Sequence, residues 1–230
     1  MTGTAARARA SGPGAPGAGA ALDLLGLIRD AIVRGDYSPN ERLVESDLAQ
    51  HFEVSRGAVR AALMELAGEG LVEREANRGA RVRAITRDEA IEISEVRMAM
   101  EGLCAAKAAE RITDAEADEL RAVLAQMEAA QANGDLMLYS ELNQRLHHRI
   151  REISRHPTAS RIVERLRNQS VRLQFRLALA PGRTAVSLCE HRAVVAALVA
   201  RDRDGAERAM RAHLVSVVAA LRAMDDQSIR

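Results

Sequence analysis

Residues 54–66, with the sequence VSRGAVRAALMEL, decide the fold of the first part of the chain. Ser55 is a residue of the type that caps a helix N-terminus, and the apolar residues after it recur at helical spacing. The stripe predicted to be buried consists of Val59, Ala62, Leu63 and Leu66. Arg56 and Arg60 are spaced i, i+4 and leave the opposite face, so one side of the helix packs and the other is free to contact a partner.

The neighbouring residues predict two earlier helices and a later hairpin. Residues 22–33 and 45–52 show helical spacing of apolar residues, and a Gly-x-Gly pair ends the third helix. Two short strands follow, Leu71-Val72 and Ala80–Val82, joined by the turn Asn77-Arg78-Gly79. Three helices and a hairpin in this order predict a winged helix-turn-helix over residues 21–84.

A helix-turn-helix reads DNA with the N-terminal residues of its third helix, which enters the major groove. Here those residues are Ser55, Arg56, Gly57 and Arg60. The formal net charge is only +1, and residues 21–84 hold 9 Arg against 11 Asp and Glu, so a DNA-binding surface has to be a local patch. The hairpin adds Arg78, Arg81 and Arg83. The alternative is that these arginines are solvated surface residues without a ligand.

Composition favours helical cores and an intracellular location. Hydrophobic residues make up 47% of the chain, aromatic residues only 2%, and Trp is absent, so aliphatic residues fill the cores. Cys104 and Cys189 match no disulfide or metal spacing, and we expect a reducing cytoplasm. No membrane span or signal peptide is predicted. Residues 1–20 are rich in Gly, Ala and Pro and are expected to form a disordered tail.

The second part of the chain reads as helix throughout. Capping boxes at Thr86–Glu89 and Thr113–Glu116 begin two helices. Further helices are predicted at roughly 135–154, 157–179, 185–200 and 204–224. The fold class is therefore mostly α, an N-terminal winged helix-turn-helix followed by an all-α antiparallel helical bundle over residues 85–230.

The first part resembles the GntR family of bacterial transcription regulators. The resemblance is carried by residues 37–49 (YSPNERLVESDLA), residues 54–63 (VSRGAVRAAL) and residues 70–72 (GLV). Asn40 replaces a usual glycine and residues 55–63 read SRGAVRAAL where the family usually has SRTPVREAL, but neither change removes Arg56 or Arg60. Some members carry an arginine at the position of Ser46, so a DNA contact from that position is not carried over. The DNA-binding residues predicted on this basis are Ser55, Arg56, Gly57, Arg60, Arg78, Gly79 and Arg42.

The second part is similar to the FCD effector domain found in that family. The matching motifs are Glu95-Val96-Arg97 with Glu101, Asn143-x-x-x-His147, Glu190-His191 and His213-Leu214. The resemblance implies a metal site that includes these histidines and an effector that is a small organic acid. Members usually carry Asp at the position of Asn143, and a neutral amide attracts a cation less strongly.

Spacing alone also brings the histidines together. Asn143 and His147 share one helix face, and His191 and His213 interrupt apolar stripes. If the last two helices form a hairpin turning near Asp202, each histidine lies 11 residues from the turn and both sit at the same height. Three imidazoles and an oxygen at one level predict a site for zinc, nickel or manganese. The alternative is three independent histidines hydrogen-bonded in the core.

Two further residue types bear on the ligand. Arg97 is the predicted anchor for the effector's carboxylate, and the alternative for Arg97 is a structural salt bridge to Glu101. Cys104 and Cys189 are potential extra metal ligands or plain packing residues. His148 is expected to face solvent.

We therefore predict a regulator, most simply a repressor, that binds a palindromic operator in double-stranded DNA as a homodimer. Binding of a small carboxylate would shift the helical bundle between two arrangements and so move the DNA-binding heads. Two alternatives remain open. One is a metal-free regulator that binds a larger acyl ligand, and the other is a metal-dependent hydrolase with Glu190 as its general base.

Overall fold

The computed structural model describes residues 23–75, 79–178 and 180–224. The tail predicted for residues 1–20 and the turn residue Arg78 lie outside these ranges. In chain order the elements are α1 (Leu24–Arg34), β1 (Arg42–Leu43), α2 (Glu45–His51), α3 (Arg56–Glu69), β2 (Val72–Glu75), β3 (Gly79–Val82), α4 (Arg87–Arg111), α5 (Asp114–Ala132), α6 (Leu136–Ile153), α7 (Pro157–Ala178), α8 (Arg183–Val199) and α9 (Arg203–Ala223).

The first three helices pack around one apolar core and carry a small sheet on one side. The core contains Ile28 from α1, Leu48 from α2 and Leu66 from α3, with Val82 from β3. The three strands lie antiparallel in the order β1-β3-β2. The sequence does not predict β1, because two residues are too few to show an alternating pattern. The strand forms through backbone pairing with β3.

Helix α3 forms as its sequence predicts. Ser55 caps its N-terminus, where the side-chain oxygen accepts a hydrogen bond from the backbone N–H of Ala58 at 3.1 Å. The helix ends at Gly70, which has φ 79° in the left-handed region. The buried residues are the predicted stripe, namely Val59, Ala62, Leu63 and Leu66. The packed and free faces of this helix are therefore as predicted.

Helices α4 to α9 form the bundle, and α4 runs through its middle. It packs against α6, α7, α8 and α9. Close approach is allowed by small residues on α4, because Ala105, Ala106, Ala108 and Ala109 have no exposed surface. The predicted mostly α fold class is confirmed. Among the described residues no helix is long and apolar enough to cross a membrane.

The last two helices form the predicted hairpin. Helix α8 ends at Val199 and α9 begins at Arg203. Asp202 caps α9, since its carboxylate accepts a hydrogen bond from the backbone N–H of Gly205 at 2.9 Å. Because the turn is this short, His191 and His213 face each other across the hairpin with their ring centroids 4.5 Å apart. Their expected equal height is confirmed.

Helix α7 of the bundle also contacts the N-terminal part of the chain. The side-chain amide of Asn168 donates to the Glu69 carboxylate at 3.4 Å, and Glu69 is the last residue of α3. The same carboxylate binds Arg29 of α1 through two hydrogen bonds of 2.6 and 3.0 Å. Gln169 packs so closely on Gly70 that a Cβ there would lie 2.6 Å from its Nε2. One helix of the bundle thus contacts the C-terminal end of α3.

Candidate functional site

Arg56 and Arg60 both lie on the exposed face of α3, within its first two turns. Arg60 is also paired with Glu45 at the start of α2, with an Nη2 to Oε2 distance of 2.8 Å. The hydrogen bond from Arg60 lowers the pKa of Glu45, so the carboxylate is ionised. Arg60 is therefore held in a surface ion pair that solvent screens. A second anion can take the place of Glu45 as its partner.

The N-terminus of α3 leaves its backbone accessible. Gly57 is exposed, and a Cβ added there would meet only the hydroxyl of Ser55 at 3.8 Å. Ser55 accepts the capping hydrogen bond with its oxygen, which leaves its hydroxyl hydrogen free to be donated. Backbone N–H groups at a helix N-terminus favour anions such as phosphate. The geometry suits contact with a nucleic-acid backbone.

The residues predicted on the hairpin lie in different surroundings. Arg42 is exposed on β1, opposite Arg81 on β3. Gly79 has φ 88°, and a Cβ there would lie 2.3 Å from the carbonyl oxygen of Leu43. Glycine is therefore needed at position 79 for the pairing of β1 with β3, whether or not it contacts DNA. Arg78 lies outside the described residues.

Arg83, which the sequence analysis adds to the wing with Arg78 and Arg81, is paired with carboxylates of the protein itself. Its guanidinium donates to Glu89 on α4 and also lies 3.6 Å from Glu73. The pairing arises because β3 leads directly into the linker to α4, whose first turn carries acidic residues. Arg83 instead joins the wing to the bundle.

Inside the bundle, His147, His191 and His213 come together as predicted. One ring nitrogen of each lies within 4.8 Å of those of the other two, and all three residues are buried. The Nε2 atoms of His147 and His191 are 3.2 Å apart. Two nitrogens bound to one tetrahedral zinc at about 2.0–2.1 Å would be separated by roughly 3.3 Å. The three histidines therefore could hold a metal ion.

Two carboxylates hold the outer nitrogens of this cluster. Glu101 lies 2.6 Å from Nδ1 of His147, and Glu190 lies 2.7 Å from Nδ1 of His213. When each Nδ1 donates its proton to a carboxylate, Nε2 is left with a free lone pair. Glu190 also receives a hydrogen bond from Arg183 at 3.2 Å, so it is an orienting group and not a free general base. This geometry weighs against the hydrolase alternative.

Electrostatics keeps His147 and His191 neutral and keeps Glu101 and Glu190 charged. Burial lowers the pKa of His147 to about 3 and holds that of His191 well below its ordinary range. Burial alone would raise the pKa of Glu101, but the positive charge of Arg97 and the contact with His147 bring it well below its usual value. Neutral imidazole is the form that binds metal ions.

His147 and His213 open onto a cavity of about 490 Å³, counting the space at its mouth. Two buried polar atoms of residues lining it have no hydrogen-bond partner among the described residues, Nη1 of Arg97 and Oδ1 of Asn143. Such atoms are costly unless something binds them. A cation or donor suits the amide oxygen of Asn143, and an acceptor suits Arg97.

Arg97 forms the salt bridge to Glu101 that the sequence analysis gives as its alternative role. It donates two hydrogen bonds to one oxygen of Glu101, at 2.8 and 2.6 Å, so the salt bridge exists. Its third nitrogen, Nη1, remains without a partner. Arg97 is thus anchored by Glu101 and still has N–H groups to offer a ligand.

Sequence reasoning missed several residues that line this cavity. Arg167 comes from α7, Arg183 from α8, and Tyr139 donates to the backbone carbonyl of Thr184 at 3.1 Å. The sequence signal that could have indicated the cavity-lining residues of α7 is a polar residue at every third or fourth position on its inner face. His148 is exposed as expected. Cys104 is buried in α4 and Cys189 is exposed, and neither belongs to the histidine cluster.

Comparison with known proteins places both halves. Residues 21–82 match the family model of bacterial regulatory proteins, gntR family, and residues 92–216 match that of the FCD domain. The HTH-type transcriptional repressor RspR of Escherichia coli is 29% identical over 85% of this chain and 86% of its own length. The HTH-type transcriptional repressor GlaR of Escherichia coli is 29% identical over 86% of this chain and 93% of its own length.

Solved structures agree on the fold. E. coli McbR/YncC superposes with a TM-score of 0.76 at 22% identity, over 87% of this chain and 96% of that one. A GntR regulator from Rhodococcus sp. RHA1 gives a TM-score of 0.69 at 22% identity, over 88% and 97%.

Fold and site together define a class of protein, the winged helix-turn-helix transcription regulators that carry a helical second domain. Within that class the family models identify the branch, since they match most of the chain. The chain belongs to the GntR family of bacterial regulatory proteins, in the group with an FCD domain.

Proposed function

We propose that this chain is a cytoplasmic repressor that binds a palindromic operator as a homodimer and releases it in response to a small carboxylate. The observation that carries the proposal is the pair of exposed arginines on the first two turns of a capped α3. The names of two relatives, the repressors RspR and GlaR, support repression.

On DNA, Arg56 and Arg60 would donate to base edges in the major groove, where arginine pairs best with guanine. As the helix enters the groove, the DNA phosphates would compete with Glu45 for Arg60 and so weaken the ion pair between these two residues. Ser55 and the backbone at Gly57 would contact the phosphate chain, with Arg42, Arg78 and Gly79 on the wing side. Two such heads in a dimer match a two-fold symmetric operator.

In the bundle, we assign His147, His191, His213 and Asn143 as ligands of one divalent ion, zinc, nickel or manganese. The donor set fits, because His147 and His191 are neutral and carboxylates hold the outer nitrogens of His147 and His213. The amide oxygen of Asn143 has no other partner among the described residues. Such an ion supplies a Lewis-acid centre with positions open to an effector carboxylate.

Arg97 would bind the effector carboxylate through Nη1, while Glu101 keeps the guanidinium in place. Transmission to DNA would run through α7, because this helix lines the cavity with Arg167 and holds the end of α3 through Asn168. A ligand that draws α7 inward would thereby tilt α3.

The DNA-binding assignment is tested by operator retardation in a gel. Arg56→Ala and Arg60→Ala should each abolish specific retardation while the protein stays folded and dimeric by size-exclusion chromatography. The matched control is Arg165→Ala, an exposed arginine on α7 far from α3 in sequence. Unchanged retardation by both α3 variants would defeat the assignment.

The metal assignment is tested by elemental analysis of the purified protein. His147→Ala combined with His213→Ala should remove the bound metal, and His148→Ala should retain it because His148 is exposed beside His147. Equal metal content in wild type and double variant would reject the site. A metal-free wild type that still binds acyl ligands would favour the alternative regulator.

A further inference from the structure

Arg167 is the charged group of the cavity that no part of the proposed function explains. It lies in the middle of α7 and lines the same cavity as Arg97, His147 and His213. Among the described residues no carboxylate lies within ion-pair distance of it and no hydrogen bond restrains it. An arginine held at a cavity wall without an anion is costly and calls for a reason.

The remaining charges of the cavity balance in pairs. Arg97 is matched by Glu101 at 2.6 Å, and Arg183 is matched by Glu190 at 3.2 Å. Each of these two carboxylates also accepts a histidine N–H. Three guanidinium groups and two carboxylates therefore line or support the site, and the positive charge left over is that of Arg167.

Burial and the nearby charge of Arg97 lower the pKa of Arg167 to about 9. The guanidinium still carries its proton at neutral pH. Its charge is therefore present in the ligand-free protein. The carboxylates of Glu101 and Glu164 attract this charge, but among the described residues neither forms an ion pair with Arg167. Arg97 and Arg167 come from different helices, α4 and α7, so an anion that engages both must reach from one helix to the other.

We propose that the effector is a dianion, most simply a small dicarboxylate, whose two carboxylates are bound separately by Arg97 and Arg167. The inference rests on the proposed carboxylate-sensing function and specifies the ligand that the cavity selects. One carboxylate satisfies Nη1 of Arg97 beside the histidines, and the second neutralises the unmatched guanidinium on α7. A monoanion leaves Arg167 without a counter-ion and binds more weakly.

In the same arrangement, the ligand acts directly on α7 by binding Arg167. Asn168 follows Arg167 in sequence and holds Glu69 at the end of α3. A dianion that links Arg167 to Arg97 pulls on α7 next to this contact. A monoanion that binds only at Arg97 exerts no such pull.

Isothermal titration calorimetry with ligands matched in size tests the proposal. The probes are succinate against succinamate and glutarate against glutaramate, because each amide has the same shape as its acid and one charge fewer. With wild type, the better dicarboxylate should bind about ten- to a hundred-fold more tightly than its amide, as for a charged hydrogen bond. Arg167→Gln should bind the diacid and its amide with about equal affinity, and Arg167→Lys should keep part of the preference for the diacid.

Arg165→Gln is the matched control, since Arg165 is exposed on the same helix. It should leave the ratio unchanged. Circular dichroism checks whether the Arg167→Gln variant is folded. If it is not folded, the preference for the diacid is measured with Arg167→Lys instead. A preference for the diacid that survives in Arg167→Gln overturns the inference while the carboxylate-sensing function stands. If neither acids nor amides bind wild type at millimolar concentration, the proposed function fails as well.

Discussion

Glu101→Gln in the metal-free protein should destabilise the fold strongly. The carboxylate of Glu101 is 2% exposed and accepts two hydrogen bonds from Arg97 through one oxygen. Its other oxygen lies 2.6 Å from Nδ1 of His147. Glutamine keeps the shape but loses the charge, and its NH₂ group faces a donor instead of accepting from it. The substitution leaves Arg97 as a buried cation without a counter-ion.

Breaking a buried pair by removing one partner typically costs about 3–5 kcal/mol. For a chain of this size, 1 kcal/mol shifts the melting temperature by about 2–4 °C, so the expected drop is about 6–20 °C. The matched control is Glu95→Gln on the same helix, which breaks an exposed pair with Arg222. Exposed pairs contribute about 0–1 kcal/mol, and this variant should melt near wild type.

Thermal and urea denaturation, both with chelator present, measure the two variants. A third variant, Arg97→Met combined with Glu101→Gln, removes the stranded cation and should recover part of the loss. If Glu101→Gln melts no lower than Glu95→Gln, the buried pair does not contribute as argued. If the double variant is no more stable than Glu101→Gln, the stranded charge is not the cause.

Three other substitutions probe the sites separately. Gly57→Ala should stabilise the protein by about 0.5–1 kcal/mol in urea denaturation, because its Cβ meets only Ser55 at 3.8 Å. The same substitution should weaken operator binding, because the added methyl group blocks access to the backbone. Tighter binding would contradict a close approach of DNA at this position. Gly79→Ala should destabilise by about 1–3 kcal/mol in the same assay, because of its positive φ and the 2.3 Å clash with Leu43; an unaffected midpoint would refute the structural role. Asn143→Asp should tighten metal binding in a chelator competition, since a charged oxygen replaces a neutral one, and equal or weaker affinity would remove residue 143 from the ligand set.

Periodicity and counting predict most of the scaffold. The buried stripe of α3 follows from apolar spacing, and its cap follows from Ser55. The meeting of His191 with His213 follows from their equal distance to Asp202, because a short turn forces antiparallel helices into that register. These features depend on residues close in sequence or on a single hairpin, so local rules suffice.

The polar partners of the site could not be predicted in the same way. Glu101 meets His147 across 46 positions, and Arg60 meets Glu45 across 15. Which carboxylate lies opposite a given cation is decided by helix packing, and spacing along one helix carries no information on it. The position of Arg167 in the cavity could not be predicted for a related reason, since a residue that lines a cavity has the same periodicity as one that packs in a core.

The position of α7 explains how a small movement at the cavity would be felt on DNA. Neighbouring residues on a helix point about 100° apart, so Arg167 can face the cavity while Asn168 faces Glu69. From Glu69 to Arg56 the reading helix spans 13 residues, or about 20 Å. A rotation of about 5° around the Glu69 end would therefore move Arg56 by about 1.7 Å, which exceeds the distance range that hydrogen bonds to base edges tolerate. If the proposed function holds, a slight tilt of α7 would therefore be enough to disengage the arginines from the operator, because α3 is rigid and contacts α7 at its far end.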